Sequence, residues 1–385
     1  MIDSELINQI QKILKDKDDS DRVITCQIAP AVRVAIGEYF GQPPGTNVVN
    51  KLVHSLKQIG FNYVFDTNFG ADLTIMEEAA ELVRRIRTNK LLPMFTTCCP
   101  TWYNFVERLY PDFIPYLSTV KSPQAMLGSI VKTYFADKIG MSENRVIHIV
   151  IAPCMVKKEE AKKKELYVHQ HKNIPNIDYV LTTNEAAILL QRLGIDLSNM
   201  QESKFDNPLG VSSGAGAIFG TTGGVIEAVI RTAYYLLEGV DLENYELIDI
   251  RNTVYKKTGK IKLGNYDLNI VTVNSLREIK LILDELKKES RSKYQFVEVM
   301  ACPLGCVGGS GQPTCTREIL EKRRRALFTY DKRHQIRVAH KNPYIEQLYS
   351  EFLGGMGSEK AKSILHTHYI DKSYESGSNE VCRIS

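Results

Sequence analysis

The stretch Glu298-Val-Met-Ala-Cys-Pro-Leu-Gly-Cys-Val-Gly-Gly-Ser-Gly-Gln-Pro313 places two cysteines directly after an apolar run. That run, residues 294–299, predicts a buried strand. Cys302 and Cys306 then follow the carboxyl end of the strand, where ligands bind in α/β proteins. We interpret the glycines that come next as leaving room for a bulky inorganic group beside the backbone.

Two other apolar runs also end in cysteine. Residues 91–95 lead into Cys98 and Cys99, and residues 145–152 lead into Cys154. The carboxyl ends of three strands can meet at one site, so these thiols can converge. Because adjacent residues of an extended chain point in opposite directions, Cys98 and Cys99 should not both bind the same group. The pattern predicts four thiol ligands and one free thiol.

Four thiolates suit a [4Fe–4S] cubane, and a zinc site is the alternative. Zinc ligands usually come as local Cys-x₂-Cys pairs, whereas these cysteines are widely spaced and lie among glycines. We therefore favour an iron–sulfur cluster, with zinc binding or thiol-based catalysis as alternatives. Cys26 lies within a predicted strand and is interpreted as a buried structural thiol. Cys315 and Cys382 follow no predicted strand.

The composition is that of an ordinary globular protein, with 43% hydrophobic residues, 24% charged residues and a net charge of +4. So small a charge gives no argument for nucleic-acid binding, but it permits a local basic patch. We find no signal peptide and no run long enough to span a membrane, which predicts a cytoplasmic protein with reduced thiols.

Strands alternate with helices along the chain, which predicts an α/β fold. Residues 1–21 are expected to form a polar N-terminal helix, and residues 246–250 a strand. Residues 71–88 are expected to form a long helix that carries three glutamates, and Glu78 and Glu81 share one face of it. On their own, these carboxylates indicate a solvated acidic face.

Three motifs resemble the signatures of the [FeFe]-hydrogenases. They are Thr97-Cys-Cys-Pro-Thr-Trp102, Pro153-Cys-Met-Val-Lys-Lys-Glu-Glu160 and the stretch quoted first. The resemblance implies an H-cluster, which is a [4Fe–4S] cubane joined to a diiron unit that carries CO, CN⁻ and a bridging dithiolate. It also implies two lobes with parallel and mixed sheets flanked by helices, and the H-cluster in the cleft between them. Residues 22–385 would be the H-cluster catalytic domain, with a helical tail at 344–369.

The resemblance assigns the thiols by motif. Four of them are implied to bind the cubane: Cys99, Cys154, Cys302 and Cys306. Of these four, Cys306 is also implied to bridge to the diiron unit. Cys98 is implied to be the proton-transfer thiol. The implied proton route then continues through Glu78, Ser118 and Glu81, which reverses the interpretation of those carboxylates as a solvated face.

Five further residues are implied to surround the cofactor. Lys157 would donate to a cyanide, whereas on its own it indicates an exposed lysine in a charged helix. Met300 and Phe219 would pack on the diiron unit, and on their own indicate ordinary core. The remaining two cofactor-binding residues are Pro30 and Gln124.

Some positions depart from the family pattern. They are Ala31, Thr97, Ala152 and Ser310. Since none of them is an implied cubane ligand or the proton thiol, we expect catalysis to be retained with altered tuning of the cofactor.

The resemblance also implies a reaction and a partner. The reaction is 2H⁺ + 2e⁻ ⇌ H₂. No cysteine precedes Cys26, so electrons are expected from a separate ferredoxin or from a ferredoxin-like subunit of a larger complex, such as a hydrogen-dependent CO₂ reductase. Basic residues at 321–325 and 332–334 are candidates for docking it. The competing hypotheses are a hydrogen sensor and a relative that serves iron–sulfur assembly.

Overall fold

The computed structural model describes residues 2–17, 21–168, 173–251, 255–288 and 292–374. Within them, helices flank two four-stranded sheets, which confirms the predicted α/β fold. The strands are β1 Val23–Ile28, β2 Tyr63–Asp66, β3 Met94–Phe95, β4 Val146–Ala152, β5 Tyr179–Thr182, β6 Lys256–Leu263, β7 Tyr266–Asn274 and β8 Phe296–Met300. Cys382 lies outside the described residues.

The helices surround the two sheets, and 3₁₀ or π turns extend several of them. They are α1 Ser4–Lys15, α2 Val49–Gln58, α3 Thr67–Thr88, α4 Pro100–Leu109, α5 Pro123–Ile130, α6 Ala136–Lys138, α7 Val156–Ala161, α8 Thr183–Arg192, α9 Gly214–Ile218, α10 Gly224–Glu238, α11 Ile248–Arg251, α12 Leu276–Leu286, α13 Arg317–Arg333, α14 Pro343–Leu348 and α15 Glu359–Leu365. Among the described residues, we find no helix with both the length and the apolar character needed to cross a membrane.

The first sheet has the order β2-β1-β4-β5, and all of its strands are parallel. Its strands are buried on both sides, as parallel sheets covered by helices require. Cys26 of β1 pairs with Val64 and Ile149, and its side chain is fully buried. The interpretation of Cys26 as a structural thiol is therefore confirmed.

The second sheet has the order β3-β8-β7-β6, with β6 antiparallel at one edge. The strand predicted at residues 246–250 was wrong, because α11 begins within that range. The backbone N–H of Leu247 instead donates to Glu227. The edge strand β6 was not predicted, since lysines occupy four of its eight positions, where a buried strand would carry apolar residues.

The strands that lead into the predicted ligand cysteines come from both sheets. β4 belongs to the first sheet, and β3 and β8 are neighbours in the second. The loops beyond these strands meet, because the N–H of Gly311 donates to the carbonyl oxygen of Pro153 at 2.9 Å. The candidate site is thus built where the carboxyl ends of the two sheets come together.

A buried ion network ties α10 to α13. The Arg231 guanidinium is fully buried and lies 2.5 Å from Glu227 and 2.8 Å from Asp331. Removing one member of a buried ion pair leaves an unpaired charge, so we expect Arg231→Met to lower the free energy of unfolding by about 3–5 kcal/mol. Urea denaturation measures this change.

The exposed pair between Lys280 and Asp284 supplies the control, because the Lys280 side chain is 57% exposed. We expect Lys280→Met to change the free energy of unfolding by less than about 1 kcal/mol. Equal effects of the two substitutions would contradict the importance of the buried network.

Candidate functional site

The structure brings the five predicted thiols together. Burial raises the pKa of the Cys306 thiol, and the neighbouring thiols of Cys302, Cys99 and Cys154 raise it further. Burial likewise raises the pKa of Cys98, and Cys306 and Cys99 are among the groups that add to this shift. Thiols from three distant parts of the chain therefore share one site.

The adjacent cysteines contact different parts of the core, as predicted from their alternation. Cys98 packs against the core that includes α3 residues such as Met76, whereas Cys99 packs against the core around Trp102. The backbone N–H groups of Ala301 and Trp102 donate to the Cys99 sulfur. Such donors favour the thiolate form, which is the form that binds a metal.

Cys302 resembles Cys99 in its electrostatics. Burial raises the pKa of Cys302 to about 12, and the backbone N–H of Ser310 opposes this shift. A metal reverses such a shift, because it binds the thiolate. Among the described residues, no three Cys, His, Asp or Glu side chains are placed to hold one metal ion. A cubane does not require such a group, because each of its thiolates binds a different iron atom.

Two glycines of the Cys306 loop lie directly against other parts of the protein. A Cβ atom at Gly309 would lie 2.2 Å from the carbonyl oxygen of Pro153, and one at Gly311 would lie 2.7 Å from the Thr182 side chain. These glycines let the loop pack directly against the segment that carries Cys154. That the loop also leaves room for a cofactor stays a prediction.

Lys157 is held beside the thiols by a buried carboxylate. Its Nζ donates to the carbonyl oxygen of Cys98 at 3.0 Å and to Glu160 at 2.8 Å, and its side chain is 13% exposed. Burial alone would lower the pKa of Lys157, but the Glu160 carboxylate outweighs it and raises the pKa. Lys157 is therefore not an exposed lysine, and the ammonium group is fixed in place.

Glu160 is the last residue of the motif at 153–160, but its role in holding Lys157 was not predicted. Its carboxylate also accepts hydrogen bonds from Ser122 at 3.0 Å, Gln124 at 2.6 Å and the Tyr103 hydroxyl at 3.1 Å. The spacing of three residues from Lys157 on one helix was the available signal. Because four donors fix this carboxylate, it orients both Lys157 and Gln124.

The other implied cofactor residues are buried. Met300 and Phe219 are 2% and 4% exposed and belong to the same core that Cys98 contacts. Pro30 is also buried, and the Oε1 atom of Gln124 is buried without a hydrogen-bond partner in the protein. Their contact with a cofactor stays a prediction.

Glu78 and Glu81 are 1% and 4% exposed, so the solvated acidic face was wrong. The Ser118 hydroxyl donates to Glu81 at 3.3 Å and also hydrogen-bonds Glu78. Burial raises the pKa of Glu78 to about 8, and the charge of Glu81 adds to this shift. Glu78 in turn raises the pKa of Cys98. The structure thus brings Cys98, Glu78, Ser118 and Glu81 together in the implied order.

Comparison with known proteins identifies the family. The family model described as "Iron only hydrogenase large subunit, C-terminal domain" matches residues 22–310. The chain belongs to the iron-only hydrogenase family. A second model, "Iron hydrogenase small subunit", matches residues 317–372, so regions typical of both hydrogenase subunits lie in this one chain.

Individual relatives agree with this membership. The NADP-reducing hydrogenase subunit HndD of Solidesulfovibrio fructosivorans is 42% identical over 371 residues, which cover 94% of this chain and 63% of that protein. Iron hydrogenase 1 of Clostridium pasteurianum is 37% identical over 373 residues, which cover 92% and 64%. The chain therefore spans less than two thirds of the length of either relative.

A solved structure and a functionally different relative also match. The structure of a variant of apo [FeFe]-hydrogenase HydA1 from Chlamydomonas reinhardtii has a TM-score of 0.84 and 40% identity, covering 95% of this chain and 98% of that one. The cytosolic iron-sulfur assembly component 3 of Rattus norvegicus is 31% identical over 360 residues, covering 90% and 74%.

The cofactor of iron-only hydrogenases is the H-cluster, a [4Fe–4S] cluster linked to a diiron subcluster with CO and CN⁻ ligands. The donors of this site fit such a group. Four thiols beside a fifth match the chemistry of the cubane, and the Lys157 ammonium supplies a hydrogen-bond donor next to them.

Proposed function

We propose that the protein is a hydrogenase that catalyses 2H⁺ + 2e⁻ ⇌ H₂ at an H-cluster. The observation that carries the proposal is the position of Cys98, which lies among the four ligand thiols and next to the buried carboxyl of Glu78. A protein that only holds a cluster has no use for this fifth thiol. When bound, the H-cluster supplies the redox chemistry.

Within this proposal, four thiolates would hold the cubane, and Cys306 would also be the ligand shared with the diiron unit. The other three ligands are Cys99, Cys154 and Cys302. Lys157 would donate a hydrogen bond to a cyanide of the diiron unit, and Glu160 keeps its ammonium group charged and oriented. The hydrogen bonds that Cys99 and Cys302 accept from backbone N–H groups stabilise their thiolates.

Protons move between Cys98 and the side chains of Glu78, Ser118 and Glu81. Cys98 takes up and releases a proton at its sulfur and exchanges it with Glu78. A carboxyl with a pKa of about 8 can donate and accept at neutral pH, which is what a relay requires. The Ser118 hydroxyl, which hydrogen-bonds both carboxyls, passes the proton on to Glu81.

Infrared spectroscopy of the matured protein tests the proposal. A hydrogenase should show bands from CO and CN⁻ and should evolve H₂ from a reduced viologen. Iron without these bands would instead support the assembly function that the 31% identity to the assembly component 3 of Rattus norvegicus suggests. Zinc without iron would contradict both functions.

We further propose that electrons arrive from a separate ferredoxin or a ferredoxin-like subunit that docks on α13. Leu320, Ala326 and Leu327 of this helix belong to the cluster in which Cys306 packs. On another side, Lys322, Arg325, Arg333 and His334 line a groove of about 630 Å³. We call it the basic groove. An acidic protein docked in the basic groove would contact α13, the helix that packs against the proposed cubane ligand Cys306.

Charge reversal in the basic groove tests this route. We expect the double substitution Lys322→Glu with Arg325→Glu to slow electron transfer from an acidic ferredoxin by about tenfold or more at low salt, because rim charges control association rates. The rate with a small viologen should not change. Lys12→Glu, an exposed site on α1, is the matched control. A ferredoxin rate equal to that of the parent would exclude the groove.

The cytoplasmic location and the hetero-oligomeric assembly are also proposals. All seven cysteines of the described residues are free thiols, which suits a reducing compartment. HndD is named as a subunit, and this supports an assembly with an electron-transfer partner.

A further inference from the structure

We propose that Thr119 and His366 form the outer end of the proton path, so that protons leave Glu81 through the C-terminal tail and not through Arg85. This inference rests on the proposed hydrogenase function and extends its proton route to the surface. Its basis is a chain of hydrogen bonds that joins residues far apart in sequence.

The hydrogen bonds form a continuous line. Oε2 of Glu81 accepts from the backbone N–H of Thr119 at 3.0 Å and from its hydroxyl at 3.1 Å. The same hydroxyl lies 2.8 Å from Nδ1 of His366. On the far side of the imidazole, Nε2 lies 3.0 Å from Oε2 of Glu77. Each neighbouring pair is within the distance that proton transfer requires.

Arg85 is also bonded to Glu81, but it cannot pass a proton on. Its Nε and Nη2 donate to Oε1 of Glu81, and its other N–H bonds go to the carbonyl oxygens of Leu91, Tyr116 and Leu117. A guanidinium has five donors, no acceptor and no accessible deprotonated form. Arg85 therefore stabilises the carboxylate, whereas a hydroxyl and an imidazole can each accept one proton and release another.

The transfer balances without any further reactant. A protonated Glu81 gives its proton to the Thr119 oxygen while the hydroxyl proton of Thr119 passes to Nδ1 of His366. The imidazole then releases the proton on Nε2 to Glu77 or to water. The His366 side chain is 15% exposed, against 3% for Glu81 and 1% for Glu77, so the imidazole reaches solvent more readily than either carboxylate.

Backbone pairing fixes His366 in this position. Val120 and His366 form an antiparallel bridge. On either side of it, the N–H of Lys121 donates to Leu365 at 2.9 Å, and the N–H of Thr367 donates to Thr119 at 2.8 Å. The tail is thus aligned with the segment that carries Ser118, and a shift of one residue would take the imidazole away from Thr119.

A matched pair of substitutions at Thr119 tests the inference in the matured enzyme. Thr119→Val keeps the shape but removes the hydroxyl, and we expect it to lower H₂ evolution from reduced viologen by about ten- to hundredfold. Thr119→Ser keeps the hydroxyl and should retain most of the rate. His366→Asn can still donate to Thr119 but cannot take up a proton, so it should lose as much as Thr119→Val. Added imidazole should restore part of that loss.

A second readout does not depend on turnover. The ¹⁵N shifts of the His366 imidazole report which nitrogen carries the proton, and Thr119→Val should change the Nδ1 shift in the protein without cofactor. His368→Asn is the control, since His368 is exposed and lies two residues away. Unchanged shifts, or turnover equal to the parent in both Thr119→Val and His366→Asn, would overturn the inference.

The proposed hydrogenase function and the proposed proton exit can fail separately. If Cys98→Ser loses turnover while the Thr119 and His366 variants keep it, the hydrogenase proposal stands and protons leave elsewhere. If Cys98→Ser itself keeps full turnover, the inner path is wrong, and the exit proposed here is wrong with it.

Discussion

Cys98→Ser should lower the rate of H₂ evolution from reduced viologen by about 10²–10⁴, the range that a positioned proton-transfer group contributes. A serine hydroxyl is a far weaker acid than a thiol, so it cannot release a proton at the required rate. The substitution is nearly isosteric, and Cys98 is not one of the four proposed cubane ligands. The cofactor should therefore stay bound while proton transfer stops.

Two measurements separate this result from damage to the cluster. Iron content and the CO and CN⁻ infrared bands should match those of the parent, because the ligand thiols are untouched. Cys315→Ser is the control, since Cys315 is also a partly exposed free thiol and has no proposed role. Turnover near the parent level in Cys98→Ser would remove this thiol from the proton path.

The position of the site was predictable because its signal is local. Each of the strands β3, β4 and β8 is an apolar run followed at once by cysteine, and an α/β fold places strand ends at binding sites. The opposite directions of Cys98 and Cys99 followed from the alternation of extended chain alone. Contacts with two different cores confirm that divergence.

The polar groups around the site were not predictable from local sequence. Glu77 looks like a surface residue on a helix, yet it is 1% exposed and accepts hydrogen bonds from Tyr349 and Gly357. Those donors lie more than 270 residues further along the chain. Burial of a carboxylate depends on such partners, and no spacing rule within α3 reveals them.

The close packing at the glycines of the Cys306 loop could not be predicted for a related reason. A sequence shows that a stretch lacks side chains, but it does not show what approaches it. At Gly309 the nearest neighbour is the backbone of Pro153, and at Gly311 it is the Thr182 side chain; both are contacts between distant segments. The same ambiguity hid β6, whose four lysines look like part of a solvated loop until β7 is found to pair with it.

Glu78→Gln should have two opposite effects, a loss of turnover and a gain in stability. Glutamine can hydrogen-bond but cannot carry a proton, so the relay from Cys98 to Ser118 is broken. We expect H₂ evolution to fall by about 10²–10⁴. Glu78→Asp keeps a carboxyl on a shorter side chain, and it should lie between the parent and Glu78→Gln.

The gain in stability follows from the raised pKa of Glu78. Its pKa is about 8 in the folded protein, against the ordinary value of 4.5 that applies to the unfolded chain. Between these values the folded state binds more protons than the unfolded state, so the free energy of unfolding falls as pH rises. This contribution of Glu78 is favourable below about pH 4.5 and is lost as pH rises through about 8. Glu78→Gln removes this loss, because an amide does not ionise.

Urea denaturation of the protein without cofactor, at about pH 5 and about pH 9, measures the effect. The difference in unfolding free energy between Glu78→Gln and the parent should be larger at the higher pH. Burial also raises the pKa of Asp72 to about 7, but Asp72 is present in both proteins and cancels in the difference, whereas the charge of Glu298 is one of the causes that raise the pKa of Glu78. A difference that does not change with pH would mean that Glu78 titrates normally, and a carboxyl of ordinary pKa would make a poor relay at neutral pH.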